Sequence, residues 1–344
     1  GSFEYSDAWM DDDLLVLENI RSSYDLGAPS VNYCKCTSIQ KKTSGLFHIQ
    51  VHNELEKSDF EIRAKHIVSA VGPWTDIFGK SLTPKWKPLL RPTKGIHIVL
   101  DKNRLPIKQA VVMASDNEKR IVFVIPRNDS IIIGTTDTDF PNDPALVKSE
   151  SEDIRYLLNL ANHYFKGAKL TNQDILSSYS GVRPLIDDRS NSESKTSREH
   201  LIFSGPLGIT FVTGGKFTSY RSMAEHVVDF ALKKFSIEDQ VLFKRSRTKE
   251  PLNRFATTES LAQAQSKVFE WAQNFGRPVQ EVQWLVHRHG LEAENLLKMG
   301  VGKSFWSIEA QFAIEKTMCL RLVDFLCRRS QLFLTQKNQG LSAL

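Results

Sequence analysis

Short runs of alternating apolar and polar residues dominate the chain as far as residue 212, and helical spacing takes over beyond it. Asp11-Asp-Asp13 precedes Leu14, Leu17, Ile20 and Tyr24, with Gly27 closing, which predicts an amphipathic helix with acid at its start. Runs over 31–39, 46–52, 60–62 and 66–71, punctuated by Gly45 and Lys57-Ser58, predict a β-meander. A connection broken by Pro84, Pro88 and Pro92 leads to strands over 95–100, 110–114, 120–125 and 130–134, read as an antiparallel sheet. A helix follows over 149–164 with Ile154, Leu157, Leu158 and Ala161 on its apolar face. Tyr179-Ser-Gly-Val-Arg-Pro184 closes a further strand, with Pro184 read as its stop, and Ser197-Arg-Glu199 begins another.

The stretch Gly205-Pro-Leu-Gly-Ile-Thr-Phe-Val-Thr-Gly-Gly-Lys-Phe-Thr-Ser-Tyr-Arg221 stands apart. Ile209 to Val212 form a short β-prone run, Gly214-Gly215 breaks it, and Tyr220, Met223, Val227 and Phe230 continue with helical spacing. Strand, glycine turn and helix in that order aim free N–H groups at whatever lies above the turn. A glycine pair lets a flat or anionic ligand approach the backbone, and Lys216 adds charge there. An ordinary strand-to-helix turn has the same spacing.

Past Phe235 the character changes. The basic run from Lys244 to Lys249 reads as a solvated linker, and 261–275, 279–289, 291–299, 308–314 and 319–333 read as helices. Met318, Leu322 and Leu326 form a core stripe; His287 and His289, two apart, do not share a helix face and read as structural. Two domains are predicted, over 3–240 and 251–335, consistent with 344 residues.

The net charge of +5 admits an acidic substrate or an anionic membrane surface. No RNP-like, zinc-finger or basic-helix pattern accompanies it, so nucleic acid is set aside. No apolar run reaches the length of a transmembrane span. Cys34 and Cys36 point to one face of a strand, a spacing that suits neither a metal site nor a disulfide; with Cys319 and Cys327 they read as buried free thiols of a reducing cytoplasm.

Candidate chemistry gathers at strand ends. Ser69-Ala-Val-Gly-Pro-Trp-Thr-Asp76 ends a strand at a tight turn. Gly134-Thr-Thr-Asp-Thr-Asp139 offers either turn caps or ligand contacts. Arg183 is either a guanidinium fork over a cleft or one half of a surface ion pair with Asp187 or Asp188.

Four segments taken together carry a resemblance: Ala70-Val-Gly-Pro-Trp-Thr-Asp76, Arg120-Ile-Val-Phe-Val-Ile-Pro126 leading to Ile133-Gly-Thr-Thr-Asp137, Tyr179-Ser-Gly-Val-Arg-Pro-Leu185, and Thr213-Gly-Gly-Lys-Phe-Thr-Ser-Tyr-Arg221. They resemble the FAD-dependent, quinone-linked glycerol-3-phosphate dehydrogenases. Val323-Asp-Phe-Leu-Cys-Arg-Arg-Ser330 resembles that family's helical domain. The likeness covers residues 3 to about 334. It implies an α+β fold: the remainder of an FAD-binding α/β domain, a mostly antiparallel substrate-binding sheet over about 81–185, and a C-terminal all-helical domain.

The resemblance also implies roles. FAD is the cofactor, with Gly72, Trp74, Gly214, Gly215, Lys216, Phe217 and Thr218 against it. His97, Arg183, Arg198 and Lys216 surround the substrate, glycerol 3-phosphate; the catalytic set is His97, Arg183 and Lys216, and no metal is implied. A dianionic phosphate suits arginine, and oxidation of the C2 alcohol needs a base, assigned to His97. A histidine bonded within the sheet is the competing reading. Electrons pass to a quinone, which implies a cytoplasmic protein peripheral to the inner membrane. An oxygen-using glycerophosphate oxidase shares these motifs, and a non-catalytic ligand-binding or association module is a further alternative. The family's N-terminal G-x-G-x-x-G is missing from this sequence, so the chain is expected to be a fragment with poor FAD binding and little activity. Its sheet is expected to expose edges or to pair with a second copy as a homodimer.

Overall fold

In the computed structural model, the residues described are 4, 6, 8, 10–115, 120–187, 199–243 and 248–343. The chain divides into two compact units, one spanning Tyr33–Arg245 and the other combining Gly1–Asn32 with Ser246–Leu344.

The larger unit opens with the expected meander. β1 (Cys34–Lys41), β2 (Phe47–Asn53) and β3 (Ser58–Ala64) form an antiparallel sheet in that order. A bulge between Cys36 and Ser38 breaks the alternation in β1. Cys36 is exposed and Cys34 half-buried, where both were expected inside; all four thiols are free. The next strand shrinks to β4 (Val68–Ser69), which runs on through a turn at Gly72–Trp74 into helix α2 (Thr75–Leu82).

The proline-broken connection is tied down by one carboxylate. Asp76 accepts hydrogen bonds from Trp86 Nε1 (2.8 Å) and from the backbone N–H groups of Leu89 (2.9 Å) and Leu90 (3.1 Å). Asp76→Ala leaves three donors without that acceptor and is expected to lower stability by about 2 kcal/mol; urea denaturation checks this, and an unchanged midpoint would contradict it.

From Leu90 the central sheet begins. Its strands are β5 (Leu90–Asp101), β6 (Val111–Ala114), β7 (Ile121–Arg127), β8 (Ser130–Gly134), β9 (Thr138–Asp139) and β10 (Ile175–Ile186). They pair antiparallel in the order β10-β5-β8-β7-β6, with β9 alongside β5. One face is packed: Ile96, Ile98, Leu100, Met113, Val122, Val124, Ile131 and Ile133 bury against Leu157, Leu158 and Ala161 of α3 (Ser151–Tyr164). Alternation then sends the odd residues of β5, Gly95 and His97 among them, to the opposite face. Lys94, on the helix side, donates to Asp153 of α3 at 2.6 Å.

Pro184 does not stop its strand. β10 continues to Ile186, with Pro184 opposite Pro92. β10 is an edge strand, where a missing N–H costs nothing if it faces outward. The unit closes with β11 (His200–Ser204) and β12 (Thr210–Gly214), an antiparallel pair, and β12 runs parallel to β4. Helix α4 (Tyr220–Leu232) follows. At the start of β12, His66 Nε2 lies 2.9 Å from Thr210 Oγ1; burial, with Lys234 and Lys41 nearby, pushes that imidazole below its ordinary value.

The second unit is helical. Its first helix, α1 (Asp12–Asp25), packs with the C-terminal helices, although the sequence reading grouped it with the first domain. The link is Arg21, whose Nη2 donates to Glu292 at 2.8 and 3.0 Å and whose guanidinium lies over Phe312. Such a bond across the sequence leaves no local signal. The core holds Trp271, Val282, Leu285, Leu296 and Ile308. His289 is buried and bonded to Glu309 Oε1 at 2.9 Å, while His287 is exposed, as opposite helix faces require. The predicted helix over 261–275 breaks into Thr258–Ser266 and Val268–Phe275. The one over 319–333 breaks further: Met318 has φ 51° and Leu322 is exposed, so only Leu326 of the predicted stripe is buried.

Candidate functional site

Two neighbourhoods of the larger unit hold the described residues singled out above. The first is the face of the central sheet turned away from α3. His97 stands opposite Tyr179 on one side and Gly134 on the other. Its ring stacks on Tyr179, with centroids 4.8 Å apart and planes 11° apart. On the other side the imidazole rests against Gly134, where a Cβ would come within 2.7 Å of His97 Cγ. The histidine is thus held between a phenol and a bare backbone.

Arg183 comes off the edge strand opposite Thr93 and lies over Gly95. Its Nη1 donates to Asp137 Oδ1 at 3.0 Å, and its Nη2 donates to Thr135 Oγ1 at 2.8 Å and to the Thr136 carbonyl at 3.3 Å. Neither sequence expectation for this residue anticipated that partner. Asp187 or Asp188 was the expected counter-charge in one reading, and Asp188 lies outside the described residues; Asp137 was read as a cap or ligand contact. Asp139 does for Arg91 what Asp137 does for Arg183, accepting from Nε and Nη2 at 2.8 Å each. The chain folds back between β8 and β9, and this puts both acids beside β5; nothing local in the sequence marks them as arginine partners.

The second neighbourhood is the glycine turn. Gly214 and Gly215 have φ of 74° and 80°, a region that L side chains avoid. The strand ends there, a short turn covers Phe217–Ser219, and α4 begins. Lys216, Phe217 and Thr218 are exposed, and Phe217 stacks on Tyr220 at 5.6 Å. The first N–H groups of such a turn have no acceptor within the helix. The turn at Gly72–Trp74 is joined to this strand through Thr75: its Oγ1 donates to the Gly72 carbonyl at 2.7 Å and lies 3.3 Å from Thr213 Oγ1. Trp74 is exposed. Just upstream, Ser69 Oγ is buried without a hydrogen-bond partner among the described residues.

The two neighbourhoods meet at the end of β10. A Cβ on Gly214 would lie 2.9 Å from Ile186 Cδ1, so the strand that carries Arg183 ends against the glycine turn. Arg198 lies outside the described residues. Among the described residues no group of three or more His, Cys, Asp or Glu is arranged to hold a metal ion.

A parallel strand pair ending in a glycine turn, joined to an antiparallel sheet that carries His97 and Arg183 on the face away from α3, is the layout of a cofactor-dependent oxidoreductase. The chain belongs to the FAD dependent oxidoreductase family, whose sequence profile matches residues 1–221. Its mixed helix and sheet content, antiparallel sheet and helical C-terminal region fit that family.

Among its relatives, the aerobic glycerol-3-phosphate dehydrogenase of Staphylococcus haemolyticus is 30% identical over 342 residues, covering 96% of this chain and 61% of the relative. The enzyme of the same name from Staphylococcus aureus (strain USA300) is 28% identical with the same coverage. A crystal structure of the Bacillus halodurans glycerol-3-phosphate dehydrogenase complexed with FAD superposes with a TM-score of 0.78 at 28% identity, covering 94% of this chain and 65% of that one. The chain spans 61% of the length of these Staphylococcus relatives.

Proposed function

We propose that this chain carries the substrate-oxidising part of a flavoprotein that converts sn-glycerol 3-phosphate to dihydroxyacetone phosphate. The observation that carries the reading is the spacing on the sheet face turned away from α3. The Arg183 guanidinium lies over Gly95, and Gly95 is two strand positions from His97, about 7 Å. That separation suits a three-carbon ester with its phosphate on the arginine and its C2 hydroxyl near the imidazole. Arg183 offers its charge and the N–H groups that the 135–137 segment does not engage to the phosphate, and the Lys216 ammonium adds charge. His97 takes the hydroxyl proton. The names of the relatives support the same substrate.

FAD, when bound, supplies the hydride acceptor. The residues present suit it: Gly72, Gly214 and Gly215 carry no side chain to block a ligand's approach, Trp74 offers an exposed aromatic, Lys216 to Thr218 are exposed just before α4, and the Ser69 hydroxyl is buried without a hydrogen-bond partner among the described residues. N–H groups at the start of α4 favour negative charge on a bound group. Transfer onward to a quinone calls for contact with a membrane surface, at the cytoplasmic side of the inner membrane, and pairing as a homodimer belongs to the same reading. No described helix is long and apolar enough to cross a membrane.

The test is calorimetric binding of sn-glycerol 3-phosphate to the purified chain, with glycerol as control, alongside the visible spectrum with and without FAD. We expect a preference for the phosphate ester of about tenfold or more, and no flavin band after desalting. Equal binding of the two ligands would sink the substrate reading. In a flavin-loaded full-length protein, near-normal turnover by His97→Gln would remove the base role from His97.

A further inference from the structure

We propose that Asp137, with Thr135, is a positioning residue that sets the Arg183 guanidinium in place before substrate arrives. The inference rests on the phosphate-binding role proposed for Arg183. An arginine on an edge strand has rotamer entropy to lose when it is fixed. Here it is held at three acceptors on one short segment: Asp137 Oδ1, Thr135 Oγ1 and the Thr136 carbonyl. The segment is itself anchored. Ile96 N–H donates to Thr136 Oγ1 at 3.1 Å, and Thr138 and Asp139 pair with Lys94 and Thr93. Gly95 forms the floor, since a Cβ there would lie 2.7 Å from Arg183 Cζ and 2.6 Å from Thr135 Oγ1. Backbone, hydroxyl and carboxylate thus converge on one side chain.

A plain counter-charge is the competing role, and it has the opposite sign. A carboxylate beside the arginine weakens its pull on an anion, so removing that charge would tighten phosphate binding. Loss of a positioning contact would instead make the ligand immobilise the arginine itself, which weakens binding.

The experiment is calorimetric titration of the purified chain with sn-glycerol 3-phosphate and, separately, glycerol. Asp137→Ala is expected to weaken binding of the phosphate ester up to about tenfold and to leave glycerol unchanged. Asp137→Asn keeps an acceptor oxygen and is expected to stay within about threefold of wild type. Affinity equal to or above wild type in Asp137→Ala overturns the inference. If that variant does not fold, Thr135→Val, which removes one of the two Nη2 acceptors together with the hydroxyl's own bond to the Thr136 carbonyl, decides: weaker phosphate binding supports positioning and unchanged binding overturns it. Arg183→Ala separates the two levels. Should it leave phosphate binding intact, the proposed site fails and the inference falls with it. Weakening in Arg183→Ala but not in Asp137→Ala overturns the positioning role alone.

Discussion

Gly134→Ala is expected to cripple proton abstraction while leaving the sheet assembled. The new methyl would lie 2.7 Å from His97 Cγ and 2.8 Å from Nε2. Contacts that short force a neighbour to move. The backbone of β8 is paired to β5 and β7 on both sides, so the imidazole is the group that yields. It cannot slide sideways, because Tyr179 stacks against its far face at 4.8 Å. The ring therefore leaves its position for another rotamer. The φ of Gly134 is not in the left-handed region, so the expected penalty is steric, about 1–3 kcal/mol. Thermal unfolding should register it as a drop of about 5 °C. In a flavin-loaded full-length protein, anaerobic flavin reduction by glycerol 3-phosphate should slow by about 100-fold or more, with KM changed far less. Reduction within threefold of wild type would mean that the His97 ring is not the base, or that the packing around it is looser than its neighbours imply.

The parts of the fold legible in sequence were those set by short-range pattern. The helical face of α3 and the strands of the central sheet follow from period-3.6 and period-2 alternation, and the glycine turn announces itself by composition. What escaped depended on residues far apart along the chain. Arg183 and Asp137 are 46 positions apart and meet only because β10 and the 135–139 segment flank the same strand. Arg21 and Glu292, 271 apart, join the first helix to a unit whose remaining elements lie beyond residue 245. Proline misled where it sat on a sheet edge: Pro184 reads as a terminator, yet an edge strand has one side on which no N–H is required. Toward the C-terminus, the four-residue spacing of Met318, Leu322 and Leu326 suggests a continuous helix. The Asp324 carboxylate instead accepts from Leu320 and Arg321 N–H, at 3.0 and 2.9 Å, so a fresh turn starts there and the stripe is broken.

Gly214→Ala is expected to disturb the chain more than Gly215→Ala, and the contrast separates two explanations of the pair. If the glycines existed only to let a ligand approach, both alanine variants would lose stability alike, by the left-handed backbone cost alone, and fail alike in cofactor binding. The surroundings argue otherwise. A Cβ on Gly214 would lie 2.6 Å from the Glu199 carbonyl oxygen, the acceptor that Gly215 N–H uses at 3.1 Å. That is backbone against backbone, and neither side can turn away. A Cβ on Gly215 would meet the Met223 methyl at 2.6 Å, the far end of a flexible side chain that can swing aside. Both positions bear the left-handed backbone cost of about 1–2 kcal/mol. Gly214→Ala adds an overpacking penalty of about 1–3 kcal/mol that Gly215→Ala largely escapes. Urea denaturation should therefore rank wild type, Gly215→Ala and Gly214→Ala in falling order. Hydrogen exchange should rise at residues 213–219 in Gly214→Ala, since the β11–β12 pairing ends at this turn. Equal stabilities for the two variants would return the glycine pair to a role in ligand approach alone. The expected ranking would mean that the turn is shaped by its own chain first, and that its N–H groups are held in place by that packing before any cofactor is bound.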